Sequence, residues 1–66
     1  MMVVRDETWR YVVTRERGQL FVNGKRIASV LTEAYKRKDR EMTANIMKVL
    51  KEFLIAEKLL RELGSG

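Results

Sequence analysis

The 66-residue sequence predicts an α+β domain in which an N-terminal antiparallel β-hairpin or three-stranded meander is followed by two helices, the second of them long. Three observations predict it. Residues 7–14 are dense in aromatic and β-branched types, and two glycine-bearing turn signals follow, at Gly18 and at Asn23-Gly24. Residues 25–63 contain neither Gly nor Pro, so nothing there forces a helix to stop. Apolar residues then recur at spacings of three and four as far as Leu63.

The first strand is expected over Glu7–Thr14. Side chains alternate across a strand, so Trp9, Tyr11 and Val13 share one face, read as core, and Thr8, Arg10, Val12 and Thr14 share the other. Arg15-Glu16-Arg17-Gly18 reads as a hairpin loop in which Gly18 supplies a positive φ. Gln19–Val22 is the returning strand. Asn23-Gly24 is a strong signal for a type I′ turn, because both residues tolerate positive φ. Lys25–Ala28 is then a third strand, or the chain passes from the turn straight into a helix.

In the helical half, Ser29 is the expected cap of the first helix and Glu33 complements its dipole, while Ile27, Val30, Leu31, Ala34 and Tyr35 form one apolar face. Lys36-Arg37-Lys38-Asp39-Arg40-Glu41 places six charges in succession. Six helical residues cover every face, so this stretch has no side to bury and reads as a turn, with Asp39 or Thr43 capping the next helix. From Met42 the apolar positions Ile46, Val49, Leu50, Phe53, Ala56, Leu60 and Leu63 define the last helix, which Gly64 is expected to end. Residues 1–63 therefore form one small basic domain, with 64–66 a flexible tail or cloning scar.

A domain of this size buries about 60% of the surface its unfolded chain exposes and usually gains margin from a disulfide, a metal or a second subunit. The chain has no Cys and no His, so thiolate and imidazole sites are excluded and association is the remaining route. The last helix, about 33 Å long over 22 residues, exceeds the diameter of a compact chain of this length. Ile55 and Leu59 add a second apolar edge. These features predict a helix-mediated homodimer whose interface draws on Ile46, Leu50, Phe53, Ile55, Leu59 and Leu60.

No apolar run is long enough for an export signal or a membrane span, which together with the absence of Cys predicts a cytoplasmic protein. Without His and Cys the commonest general base and the strongest neutral-pH nucleophile are missing, and no phosphate-cradling glycine motif or calcium-loop spacing occurs. A non-enzymatic protein without cofactor or metal is expected. The formal charge is +5 and the pI about 10.0. Six of the basic and three of the acidic residues lie in residues 1–26. That excess favours a phosphate backbone as partner. The expected contacts are Arg10, Arg15, Arg17, Lys25 and Arg26 in the hairpin region and Lys36, Arg37, Lys38 and Arg40 at the interhelical turn, with Trp9, Tyr11 and Phe21 as core or as stacking platforms.

With Lys25–Ile27 as ribbon and residues 29–38 and 43–63 as helices, the element order resembles the ribbon-helix-helix repressors, although the extra hairpin and the glycine-free charged turn depart from that pattern. A three-stranded sheet followed by a helix is also similar in outline to the small arm-binding domains of recombinases. Neither resemblance assigns a role to any residue. The expected function is that of a dimeric, DNA-binding, regulator-like domain. Two other readings suit the same composition: a designed, self-associating domain without a natural ligand, which the absence of Pro and the terminal Gly-Ser-Gly also fit, and a protein-binding adaptor.

Overall fold

The computed structural model describes residues 3–8 and 10–65, and in it a four-stranded antiparallel sheet precedes two helices. The strands β1 (Val3–Arg5), β2 (Val12–Glu16), β3 (Gln19–Val22) and β4 (Lys25–Arg26) lie side by side in chain order, followed by α1 (Ile27–Lys36) and α2 (Arg40–Ser65). Two tight turns make the meander. Arg17 (φ 52°) and Gly18 (φ 78°) join β2 to β3, and Asn23 (φ 53°) and Gly24 (φ 79°) join β3 to β4. Positive φ at both central positions is the type I′ geometry, whose twist matches that of the flanking strands. The first hairpin is longer than its sequence suggests: Arg15 and Glu16 belong to β2, and Glu16 stands opposite Gln19.

The N-terminal boundary differs from the expected strand over Glu7–Thr14. β2 begins at Val12, residues 6–8, 10 and 11 lie outside any strand, and a further strand, β1, pairs Val3, Val4 and Arg5 with Thr14, Val13 and Val12. Asp6 explains the change. Its backbone N–H donates to the Tyr11 carbonyl at 3.1 Å, and its carboxylate accepts from the Tyr11 N–H at 3.0 Å and from the Thr8 hydroxyl. A short acidic side chain that takes local donors competes with the strand ladder and closes a loop. The Thr8 hydroxyl, then the Tyr11 N–H, hold the Asp6 carboxyl below its usual range. Trp9, expected on the core face, lies outside the described residues.

Asn23 ties this loop to the second turn. Its side-chain carbonyl accepts from the Val12 N–H at 2.8 Å, its amide donates to the Arg10 carbonyl at 2.8 Å, and its backbone N–H donates to the Val12 carbonyl at 2.9 Å. The side chain thus continues the β2 ladder for one residue beyond β3. One residue serves turn and loop.

Pairing register divides the sheet into two faces. Val4, Val13 and Val22 align across β1, β2 and β3, and Val13 and Val22 are fully buried with Val30 of α1 and Ile46, Val49 and Phe53 of α2. Tyr11 and Leu20 pack against this core, as the core reading of Tyr11 expects. Both helices therefore cover one face of the sheet, the inner face.

The start of α1 also differs from expectation. Ser29 sits inside the helix, and the residue before the first turn is Arg26 (ψ 134°), with no side-chain cap. β4 already delivers the chain in the extended conformation that a cap position requires, so the strand runs directly into the helix. At the other end Lys38 (φ 56°) takes the left-handed position, its N–H bonding the Tyr35 carbonyl and that of Asp39 bonding the Ala34 carbonyl, each at 3.0 Å. This is a Schellman motif with Lys in the place glycine usually takes. Asp39 then caps α2 by accepting from the Met42 N–H at 3.0 Å. The expected turn falls within the charged stretch, at residues 37–39, with Lys36 in α1 and Arg40 and Glu41 in α2, and of the two expected caps, Asp39 and Thr43, it is Asp39 that caps α2.

At a rise of about 1.5 Å per residue α2 is about 39 Å long, and the molecule measures 44 × 24 × 16 Å. Gly64, expected to follow the helix, lies within it, at the last turn where its conformational freedom costs about 1 kcal/mol at most. Residues 58–64 are all exposed.

Candidate nucleic-acid interface

The sheet's other face carries no helix. Alternation places Val3 and Arg5 of β1, Val12, Thr14 and Glu16 of β2, Gln19 and Phe21 of β3 and Arg26 of β4 on it. One row crosses all four strands, Val3–Thr14–Phe21–Arg26, because each is the register partner of the next. Val12, Thr14 and Phe21 are half-buried although no helix lies over them, and Val3 is 50% exposed. An aromatic ring and three β-branched residues stand on a face that no helix covers.

The charges on this face are at its margins. Arg5 lies on the outermost strand at one edge and Arg26 on the outermost strand at the other, three strand spacings apart, or about 14 Å. Glu16, Arg17, Gln19, Phe21 and Arg26 line a shallow concavity at the hairpin end. The centre is neutral and the rim is basic.

The nine basic residues singled out in the sequence are not brought to one place. Arg26 lies on the outer face, Arg17 at the β2–β3 turn and Arg10 in the β1–β2 loop, all exposed. Lys25, opposite Val22, takes the inner-face parity at an exposed strand end. Arg15 points the other way. Its Nε and Nη2 donate to the two carboxylate oxygens of Glu57, Nη2 at 2.9 Å, while Nη1 donates to the Gly18 carbonyl at 3.1 Å and the guanidinium carbon lies 6.0 Å from the centre of the Phe53 ring. The hydrogen bonds from Arg15, with its charge and that of Arg61, hold the Glu57 carboxyl below its usual range, and Glu57 raises the Arg15 pKa in return. Arg15 fastens sheet to helix.

Lys36, Arg37, Lys38 and Arg40 form a separate group at the interhelical turn. Arg37 bridges to Glu33 at 2.7 Å, and Lys36, Lys38 and Arg40 border a groove with Tyr35, which is 82% exposed. Sequence reasoning placed Val12 and Thr14 together on the face away from the core but missed Arg5, Glu16 and Gln19 as members of the same surface. The signal was alternation in Val3-Val4-Arg5, obscured because so short a run also reads as an apolar start.

The expected dimer residues separate as well. Ile46 and Phe53 are fully buried in the chain's own core and Leu50 is half-buried, whereas Ile55, Leu59 and Leu60 are exposed. Ile46 and Phe53 are occupied by the sheet because four strands need more of α2 than a single hairpin would. The Lys25–Arg26 segment pairs with β3 of the same chain and is two residues long. It is an intramolecular edge strand, unlike a ribbon shared between subunits. Among the described residues no set of His, Cys, Asp and Glu is arranged to hold a metal ion, and no helix is long and apolar enough to cross a membrane. Comparison with known proteins finds no family model, no curated protein and no solved structure that matches this chain.

Proposed function

We propose that the chain is a DNA-binding domain that lays the outer face of the β2–β3 hairpin into the major groove of a duplex. The observation that carries this reading is the neutral, half-apolar centre of that face between two arginine-bearing edge strands. A major groove about 12 Å wide admits a two-stranded ribbon, and edge strands about 14 Å apart bring Arg5 and Arg26 to the phosphates on either side. The central residues suit base edges. Phe21 and the methyls of Val12 and Thr14 meet thymine methyls and Gln19 pairs with adenine, while Glu16, at the hairpin end of the face, accepts from cytosine. Arg17, at the tip, adds a phosphate contact. Arg15 contributes by holding the hairpin on α2.

The test is fluorescence anisotropy with labelled duplexes and single strands at two salt concentrations. The reading expects duplex binding that weakens steeply with salt, and a salt slope that falls by about one for each of Arg5→Gln and Arg26→Gln, with no change of sequence preference. Phe21→Ala is expected to reduce discrimination between sequences instead. Preference for single strands would reassign Phe21 to base stacking, and no binding at low salt would remove the proposal.

A further inference from the structure

We infer that the projecting end of α2 is a pairing surface for a second copy of this chain, and that the two helices meet antiparallel. The surface is built from Ile55, Ala56, Leu59, Leu60 and Leu63, which recur at three- and four-residue spacing and occupy about 140° of the helix circumference. Ile55, Leu59 and Leu60 are each 50–56% exposed and Leu63 is 79% exposed. Nearer the N-terminus the same helix turns Ile46, Val49 and Phe53 onto the sheet, but the sheet ends at the level of the Arg15–Glu57 pair. Past that point the stripe swings away from the body, and the described residues leave half or more of Ile55, Leu59, Leu60 and Leu63 exposed.

Three observations favour a second copy over other occupants. The polar residues of the distal turns are Glu57, Lys58, Arg61 and Glu62, two acids and two bases, with no net charge. A helix that rests on an anionic lipid surface carries an excess of Lys and Arg there, so the distribution speaks against a membrane. It is also self-complementary, since copies crossing antiparallel at Leu60 set Lys58 of one helix opposite Glu62 of the other. Antiparallel pairing also opposes the two helix dipoles, whereas parallel pairing sets Lys58 beside Lys58 and Glu62 beside Glu62. Finally, four large apolar side chains at these exposures offer apolar area on the order of 450 Å² per copy, so two copies approach the roughly 1,000 Å² at which a specific interface becomes stable. The surface is matched in size and sign to its own copy.

The experiment is sedimentation equilibrium over a range of concentrations, with circular dichroism on the same samples. The parent chain is expected to dimerise. Leu59→Lys is expected to weaken the dimer about 100-fold, because a charge would be left in an apolar seam, while the helical signal stays the same since Leu59 is 53% exposed and stands outside the core cluster. Orientation is read separately. A nitroxide on Lys48→Cys, the only cysteine such a chain would hold, lies about 12 residues from Leu60, so antiparallel copies place two labels about 36 Å apart by pulsed electron resonance and parallel copies well under 20 Å. A monomeric parent, equal association of the Leu59→Lys variant, a short label distance, or a monomer that binds anionic phosphatidylserine vesicles through this stripe would each overturn the inference.

Discussion

Val12 and Val13 are chemically identical neighbours on β2, yet they do opposite work. Val13 is fully buried against both helices, while Val12, one residue earlier, is half-buried on a face that no helix covers. Phe21 and Val22 repeat the contrast on β3. In a sheet with one covered face the outer positions are usually polar, because solvation there costs nothing. Here the outer row carries Val3, Thr14 and Phe21, with arginine only at its β4 end. The inner face carries the stability; on the proposed reading, the outer face is the one that meets DNA bases in its middle and phosphates at its sides.

The sharpest way to break this comparison is to cut into each face in turn. Phe53→Ala, which removes the ring that the inner face rests on, is expected to cost about 3–5 kcal/mol, most or all of the stability of a domain this small. Phe21→Ala on the outer face is expected to cost no more than about 1 kcal/mol in urea denaturation, while its effect on DNA discrimination is clear. Equal losses from the two would mean that the outer face is part of the core. Between them lies Asn23→Ala, expected to cost about 1–3 kcal/mol, since the Val12 N–H and Arg10 carbonyl lose their partner and the turn loses a residue that tolerates positive φ. Its distinguishing mark is faster hydrogen exchange at Val12.

The inner face also has an electrostatic fastening, and its pH dependence has a definite sign. The folded Glu57 carboxyl titrates below its unfolded value because Arg15 binds the ionised form. The pair therefore stabilises the fold fully above the unfolded Glu range and loses its contribution as pH falls through the folded pKa. Asp6 adds in the same direction. Both groups face solvent, so the effect is modest. Thermal unfolding from pH 7 down to pH 3 is expected to show a fall in Tm that becomes shallower in Glu57→Gln; an unchanged profile would show that the pair does not couple sheet to helix.

How much of this was legible in the sequence follows from range. Both type I′ turns, the interhelical turn and the Asp39 cap are local, set by residues within four positions of one another, and Asn23-Gly24 and Asp39 announce them. The apolar face of α2 was legible for the same reason, since its period marks Ile46, Val49 and Phe53, but the period does not say that the chain's own sheet, rather than a second copy, covers Ile46 and Phe53. The misplaced N-terminal strand is a contest between strand propensity in Glu7–Tyr11 and the side-chain hydrogen bonds of Asp6, which composition does not weigh. Once that boundary moves, β1 appears and Arg5 joins the outer face. The fate of Arg15 depends on Glu57, 42 residues away, and no local rule separates it from Arg17. Charge in the hairpin was visible, but not the face each charge takes.

The smallest expected effect tests the one place among the described residues where a strained backbone is accepted without a glycine outside the hairpins. Lys38 closes α1 in the left-handed region, where a side chain is disfavoured by about 1 kcal/mol relative to glycine. Lys38→Gly keeps both Schellman hydrogen bonds and relieves that strain, but it also gives the unfolded chain more freedom, so the net gain is expected to be about 0.5 kcal/mol, with the urea midpoint moving up and its slope unchanged. The same substitution removes a charge from the Tyr35 groove and none from the sheet. If the outer face is the DNA contact, Lys38→Gly leaves the salt slope of binding where it was, while Arg26→Gln lowers it. A drop in slope from Lys38→Gly would move the contact to the interhelical turn and leave the apolar outer row without a partner.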